Sequence, residues 1–139
     1  MKSTVLTFVL LVTSLFGFAQ EEKGITINVV IDNVASDEGK VLVSLHTADT
    51  FMRGGGIQDL ESTIENGKVE FTFEDVPAGT YAIMALHDVN ENYRMDYEAD
   101  GRPKESYGMS GNEMIMGPPN FADAKFEVEN ENLELAIRF

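Results

Sequence analysis

The chain is predicted to fold as an all-β sandwich of about seven strands. Three observations predict it. Apolar and polar residues alternate with period two through most of the chain, as half-buried strands require. Short Gly-, Asn- and Pro-containing turn signals separate those runs. No segment carries a long helical period.

The elements follow in order. Lys2 precedes an apolar run from Val5 to Phe18, and Gly17-Phe18-Ala19 places small residues where a signal peptidase reads, so residues 1–19 are predicted to be a cleaved export signal. Thr7, Thr13 and Ser14 interrupt the run, which is short for a membrane span of about 20 apolar residues. Residues 20–139 then form one domain. Ile25, Ile27, Val29 and Ile31 share a face opposite Thr26, Asn28 and Asp32. After the Asp37-Glu38-Gly39-Lys40 turn, Val41, Val43 and Leu45 repeat the pattern. Ile57 to Ile64 is a weaker strand candidate. Asn66-Gly67 suits a tight hairpin before Val69, Phe71 and Phe73. Pro77-Ala78-Gly79 feeds Thr80 to Leu86, which is apolar on both faces and reads as a central strand. Ala124, Phe126 and Val128 alternate again, and Asn130-Glu131-Asn132 separates them from Leu133, Leu135 and Ile137. Strands this short and this many indicate an immunoglobulin-like sandwich, with a small barrel as the alternative. A closing strand ending at Phe139 also occurs in outer-membrane barrels, but too little strand is available for eight membrane-crossing strands of about ten residues.

Between Asp88 and Asp123 the alternation lapses into a stretch rich in Gly, Pro, Asn and Met. A connection of that length in a compact domain is usually functional, so residues 88–123 are the expected working surface.

Composition narrows the function classes. The formal net charge is −14, and loss of Lys2 with the leader makes the exported chain more negative. Such a surface repels phosphate backbones and anionic membranes, which excludes nucleic-acid partners and favours divalent cations and basic partners. With no cysteine there are no disulfides and no lipid-modified N-terminal Cys, so stability must come from the sheet core or a bound ion. No second long apolar run follows the leader, and no stable membrane insertion is expected.

Within the long stretch, Asp88, Asn90, Asn92 and Asp96 place oxygen-bearing side chains at positions 1, 3, 5 and 9 of a calcium-type loop. Alternate residues of a tightly wound loop point inward together and can surround a hard cation. Arg94 would offer its backbone carbonyl at position 7, and Glu98, Asp100 or Glu105 the missing acid. Calcium (Ca2+) is therefore the cofactor the loop nominates. Two positions depart from that pattern: Tyr93 stands where a sharp turn favours Gly, and Ala99 where a Glu is expected. The competing reading is an Asx-rich turn whose side chains bond their own backbone.

Other constellations are weaker. His46, His87 and Asp88 could hold a transition metal if they met in space, and Met109, Met114 and Met116 are soft donors for Cu(I). Phe51-Met52-Arg53-Gly54-Gly55-Gly56 lacks the Lys-Ser/Thr that completes a phosphate loop. No nucleophilic triad can be assembled.

In order, Pro77-Ala78-Gly79-Thr80-Tyr81-Ala82, His87-Asp88, Asn90, Asn92, Asp96, Pro103-Lys104-Glu105, Tyr107-Gly108, Gly117-Pro118-Pro119, Phe121, Asp123-Ala124 and Phe126 form a specific combination. By these residues the chain, from about Gly24 onward, resembles the exported bacterial family catalogued as domain of unknown function 2141. The resemblance implies a secreted β-sandwich and no particular activity. Relatives look richer in glycine in the acidic loop, Asp-x-Asn-Gly-Asn-Gly, where this chain has Glu91 and Tyr93. The Pro-Ala-Gly-Thr-Tyr piece is also similar to prealbumin-like and carboxypeptidase-regulatory sandwiches.

The expected function is an exported, periplasmic or extracellular, non-enzymatic binding or accessory module with an unknown protein or envelope partner. One alternative is a small hydrolase using loop carboxylates with His87, which requires these groups to converge in a pocket. The other is a purely structural envelope protein.

Overall fold

The computed structural model of the chain describes residues 24–113 and 117–139. The export signal at 1–19, and Met114 and Met116, lie outside these residues. Eight strands and one helical turn follow one another: β1 (Ile25–Ile31), β2 (Lys40–His46), β3 (Gln58–Ser62), β4 (Val69–Val76), β5 (Gly79–Asp88), β6 (Tyr107–Met109), α1 (Phe121–Ala124), β7 (Phe126–Val128) and β8 (Leu133–Ala136). They form two sheets, β4-β1-β8 and β3-β2-β5-β6, with β7 also on β5. The architecture is a β-sandwich. All pairings are antiparallel except β1 with β8, which is parallel in the register Ile27↔Leu133 to Val30↔Ala136.

Period-two alternation is the reason these segments pair as they do. Ile27, Val29 and Ile31 of β1 and Val41, Val43 and Leu45 of β2 point between the sheets and are fully or almost fully buried. Phe71 and Phe73 of β4, Ile83 of β5 and Ile137 complete the main core, with Leu60, Leu133 and Leu135 at its margin. The Asn66-Gly67 turn has φ of 53° and 72°, the left-handed pair a two-residue reversal demands, and Glu65 and Lys68 bridge across it. Here that reversal joins strands of different sheets, β3 and β4, rather than two neighbours in one sheet. The Asp37 carboxylate accepts from the Asn66 and Gly67 amides at 3.0 and 2.7 Å and fastens the β1–β2 turn to it.

β5 is central, as its two apolar faces predict. β2 pairs with one edge from Asp88 to Ala82; the other edge is shared by β7 at Gly79–Tyr81 and β6 at Met84–Leu86. Ser110 fills the gap between those partners. Its amide donates to the Ile83 carbonyl, while its hydroxyl accepts from the Ile83 amide and donates to the Ala124 carbonyl. The long stretch 88–123 is consequently less irregular than its composition suggests. It contributes β6 and α1, whose three and four residues are too short to show a period in sequence. Among the described residues no helix is long and apolar enough to cross a membrane.

Candidate functional site: an outer-face groove walled by the acidic loop

The outward face of the five-stranded sheet carries Lys40, Leu42, Ser44 and His46 from β2 and Ala82, Met84, Leu86 and Asp88 from β5, in the register Lys40↔Asp88 to His46↔Ala82. At the His46 end this face is sealed. Phe51, Ala82, Met109 and Ala124 form a second small core, with Phe121 and Met84 packed against it. His46 meets Phe51 edge-on at 5.7 Å, and its Nδ1 bonds the Thr50 hydroxyl at 3.1 Å. Burial lowers the His46 pKa against a weaker opposing pull from Asp59, so the ring is neutral over a wider pH range than usual.

At the Lys40 end stands the acidic loop. Asp88 is fully buried, and its carboxylate accepts from the amides of Asn92 at 3.1 Å and Tyr93 at 2.8 Å. Asn90 and Asn92 donate their side-chain amides to Asp96 at 2.8–3.0 Å. Those bonds, led by Asn90, hold the Asp96 pKa below its ordinary value. The Asn92 side-chain oxygen accepts from the Arg94 amide at 3.2 Å, and the Arg94 guanidinium lies 3.8 Å from Asp96. Asn90, Asn92 and Asp96 are thus joined side chain to side chain, while Asp88 and Asn92 also bond the loop's own backbone, as an Asx-rich turn does. Of the three further acids proposed from sequence, Glu105 is the one that reaches the loop. It is buried and accepts from the Val89 and Asp96 amides, both at 3.3 Å. Glu91 and Tyr93 adopt φ of 56° and 61°, so two non-glycine residues take up the left-handed backbone that glycine adopts without steric cost. Gly39 (φ 69°) lies where a Cβ would collide with the backbone of Asp88 and Val89, which lets the loop seat against the β1–β2 turn. Among the described residues, no three His, Cys, Asp or Glu side chains are grouped as a metal-ligand set.

Lys40 stitches this loop to the sheet. Its ammonium bonds Glu61 at 3.1 Å and the Tyr93 hydroxyl at 2.9 Å, lies 5.0 Å from the centre of the Tyr93 ring, and sits 3.6 Å from Glu91. The Tyr93 and Glu61 bonds push the Lys40 pKa up.

Between the sealed end and the acidic loop the sheet is open. A groove of about 1140 Å³ runs over Leu42, Met84 and Leu86. Met52 of the β2–β3 connection, Tyr93, Tyr97 and Pro103 of the acidic stretch, and Tyr107 of β6 also line it. Among the described residues, six large hydrophobic side chains are exposed, and four of them, Met52, Tyr93, Tyr97 and Tyr107, belong to this groove. An apolar concentration of this kind marks an interaction site more often than chance exposure does. Sequence reasoning named the stretch but missed the groove. The available signal was Leu42, an apolar residue on the otherwise polar face of β2, together with the two-faced apolarity of β5.

Among the described residues, the groupings expected around the two histidines do not form. His87 is buried on the inward face, with Nε2 at 2.8 Å from the Glu38 carbonyl and its ring stacked on Phe139. Adjacent residues of a strand face opposite ways, so His87 points away from Asp88 and the loop carboxylates, and away from His46 on the outer face. Met109 is enclosed in the small core.

Comparison with known families matches residues 29–136 to the family described as "Uncharacterized protein conserved in bacteria (DUF2141)". The chain belongs to this family. Searches of curated proteins and of solved structures find no match. The family match spans the sandwich and the groove alike, including both arms of the acidic loop.

Proposed function

We propose that the chain is an exported, non-enzymatic binding module whose working surface is the outer-face groove. The gathering of Met52, Tyr93, Tyr97 and Tyr107 around one open trough carries this reading. Solvent-exposed tyrosines and methionines are an adaptable lining for a ligand and a costly one for an idle surface. The acidic loop is the groove's wall, and calcium is its ordering ion. Asp88, Asn90, Asn92 and Asp96, with the Arg94 carbonyl, are the residues that would hold it, supplying the oxygen ligands a hard cation takes.

Two measurements test the reading. An apolar environment-sensitive dye is expected to bind the protein and to be lost in Leu86→Glu with the circular dichroism unchanged. Dye binding that survives Leu86→Glu would place the apolar site elsewhere. Millimolar calcium, and not magnesium, is expected to raise the melting temperature and to protect residues 89–105 from protease. An ion that binds only the folded state at about ten times its Kd adds roughly 1.4 kcal/mol. Asp96→Asn is expected to abolish the shift; no shift in the unaltered protein removes calcium from the proposal.

A further inference from the structure

Resting on that reading, we infer the class of ligand: the groove takes an extended segment of a partner protein that carries Lys or Arg beside proline or aliphatic residues. Four observations point there.

The first is charge. Two charged side chains line the groove, Asp59 and Glu61, and both are carboxylates. Lys40 pairs with Glu61. Asp59 accepts the Gly56 amide at 2.9 Å and forms no ion pair among the described residues. With a chain charge of −14 around it, an apolar groove edged by Asp59 repels anions and draws cations.

The second is the aromatic lining. Tyr97 and Tyr107 are 60% and 36% exposed, leaving ring surface for a ligand. A cation over a tyrosine ring is favourable, most of all where water is thinned out. The molecule already makes one such contact at the groove's edge, between Lys40 and Tyr93 at 5.0 Å.

The third is shape. The groove's volume of about 1140 Å³ is larger than most small-molecule pockets. Its floor crosses β2 and β5, and its walls come from three separate connections, so it is a trough rather than a closed chamber. A trough fits a length of chain.

The fourth is the apolar surface itself. Tyrosines beside Pro103, Pro118 and Pro119 make the kind of ridged aromatic floor on which proline-containing extended peptides dock. Met84 and Met52 adapt to aliphatic side chains between them.

The test is fluorescence anisotropy with three labelled peptides of equal length. One repeats Pro-Leu-Arg; the second replaces Arg with Gln, and the third with Glu. The Arg peptide is expected to bind at least about 10-fold more tightly than the Gln peptide, and the Glu peptide not at all. Asp59→Asn keeps the oxygen that accepts the Gly56 amide, so the fold is retained. It is expected to weaken the Arg peptide about 10-fold and leave the Gln peptide unchanged. Tyr97→Ala is expected to weaken both. Equal binding of the Arg and Gln peptides overturns the cationic ligand while the groove reading survives. Arg-peptide binding indifferent to both Asp59→Asn and Tyr97→Ala is attraction to an acidic surface and also overturns it. If no peptide binds but the apolar dye does, and Leu86→Glu removes the dye, the partner class is wrong and the groove reading stands. If neither binds, both fail.

Discussion

On one face of β5, Tyr81, Ile83 and Ala85 are enclosed in the main core; on the other, Ala82 is sealed while Met84 and Leu86 remain half-buried along the groove. β2 repeats the contrast, with Val41, Val43 and Leu45 inside and Leu42 outside. The same two strands thus present two apolar faces, and only one is fully covered. The inner face has a partner sheet supplied by β1, β4 and β8. The outer face is covered at one end by Phe51 and Ala124 and left open beyond them. A protein that needed only to fold would gain by placing polar residues at Leu42, Met84 and Leu86; retaining apolar ones there suits a surface meant to be covered by something else.

Substitutions on the two faces sharpen that contrast. Phe73→Ala, in the fully buried core, is expected to lose about 3–5 kcal/mol of unfolding free energy, whereas Leu86→Ala on the groove floor is expected to lose about 1 kcal/mol or less. Urea unfolding of both variants checks this, and comparable losses would mean the outer face is as much a core as the inner one. Next in size is the loop. Asp88→Ala removes the acceptor for two part-buried amide bonds, and about 1.5–3 kcal/mol is expected to go with them. If hydrogen exchange shows Asn92 and Tyr93 no less protected in that variant, Asp88 is not what holds the wall.

His46 provides a pH-dependent comparison between the sealed and open ends. Its folded-state pKa is depressed below the ordinary 6.5, so above that value neither state carries the proton and the ring has no effect on stability. As pH falls below 6.5 the unfolded chain takes up a proton the folded chain refuses, and stability declines, with a slope below the one-proton limit of about 1.4 kcal/mol per pH unit, until the folded value is reached. Unfolding measured at pH 7.5, 6.5 and 5.5 is expected to show that decline and to lose most of it in His46→Gln. The smallest effect expected is a gain. Glu91→Gly relieves a left-handed non-glycine residue at the loss of a 3.6 Å surface ion pair, a net stabilisation of about 0.5 kcal/mol. A loss of stability instead would show that the Lys40 pairing matters more than the backbone.

Legibility followed the length scale of each feature. Strands β1, β2 and β4 were readable because alternation over seven or more residues reports directly which face is buried, and β5 because a run apolar on both faces after a turn signal reads as a central strand. The eighth strand was not: β6 is three residues long, and Tyr107-Gly108-Met109 pairs because β5 offers an open edge. The hydrogen-bonded turn through Asp88, Asn90, Asn92 and Asp96 was visible in their spacing, since short polar side chains at alternate positions bond their own loop. That Glu105, rather than Glu98 or Asp100, joins them was not, because it depends on how residues 96–105 return to the sheet.

Local patterning along the chain was enough for the all-β class, the two-faced apolarity of β5, the Asn66-Gly67 reversal and the acidic loop, since each is written within a few consecutive residues. Folding in three dimensions settled that the His87 face of β5 is the inner one, that Glu91 and Tyr93 take glycine's backbone, and that Leu42, Met84, Leu86 and the exposed tyrosines share one groove. Those outcomes turn on strand register and loop return, which bring together residues distant along the chain and leave no periodic trace within it.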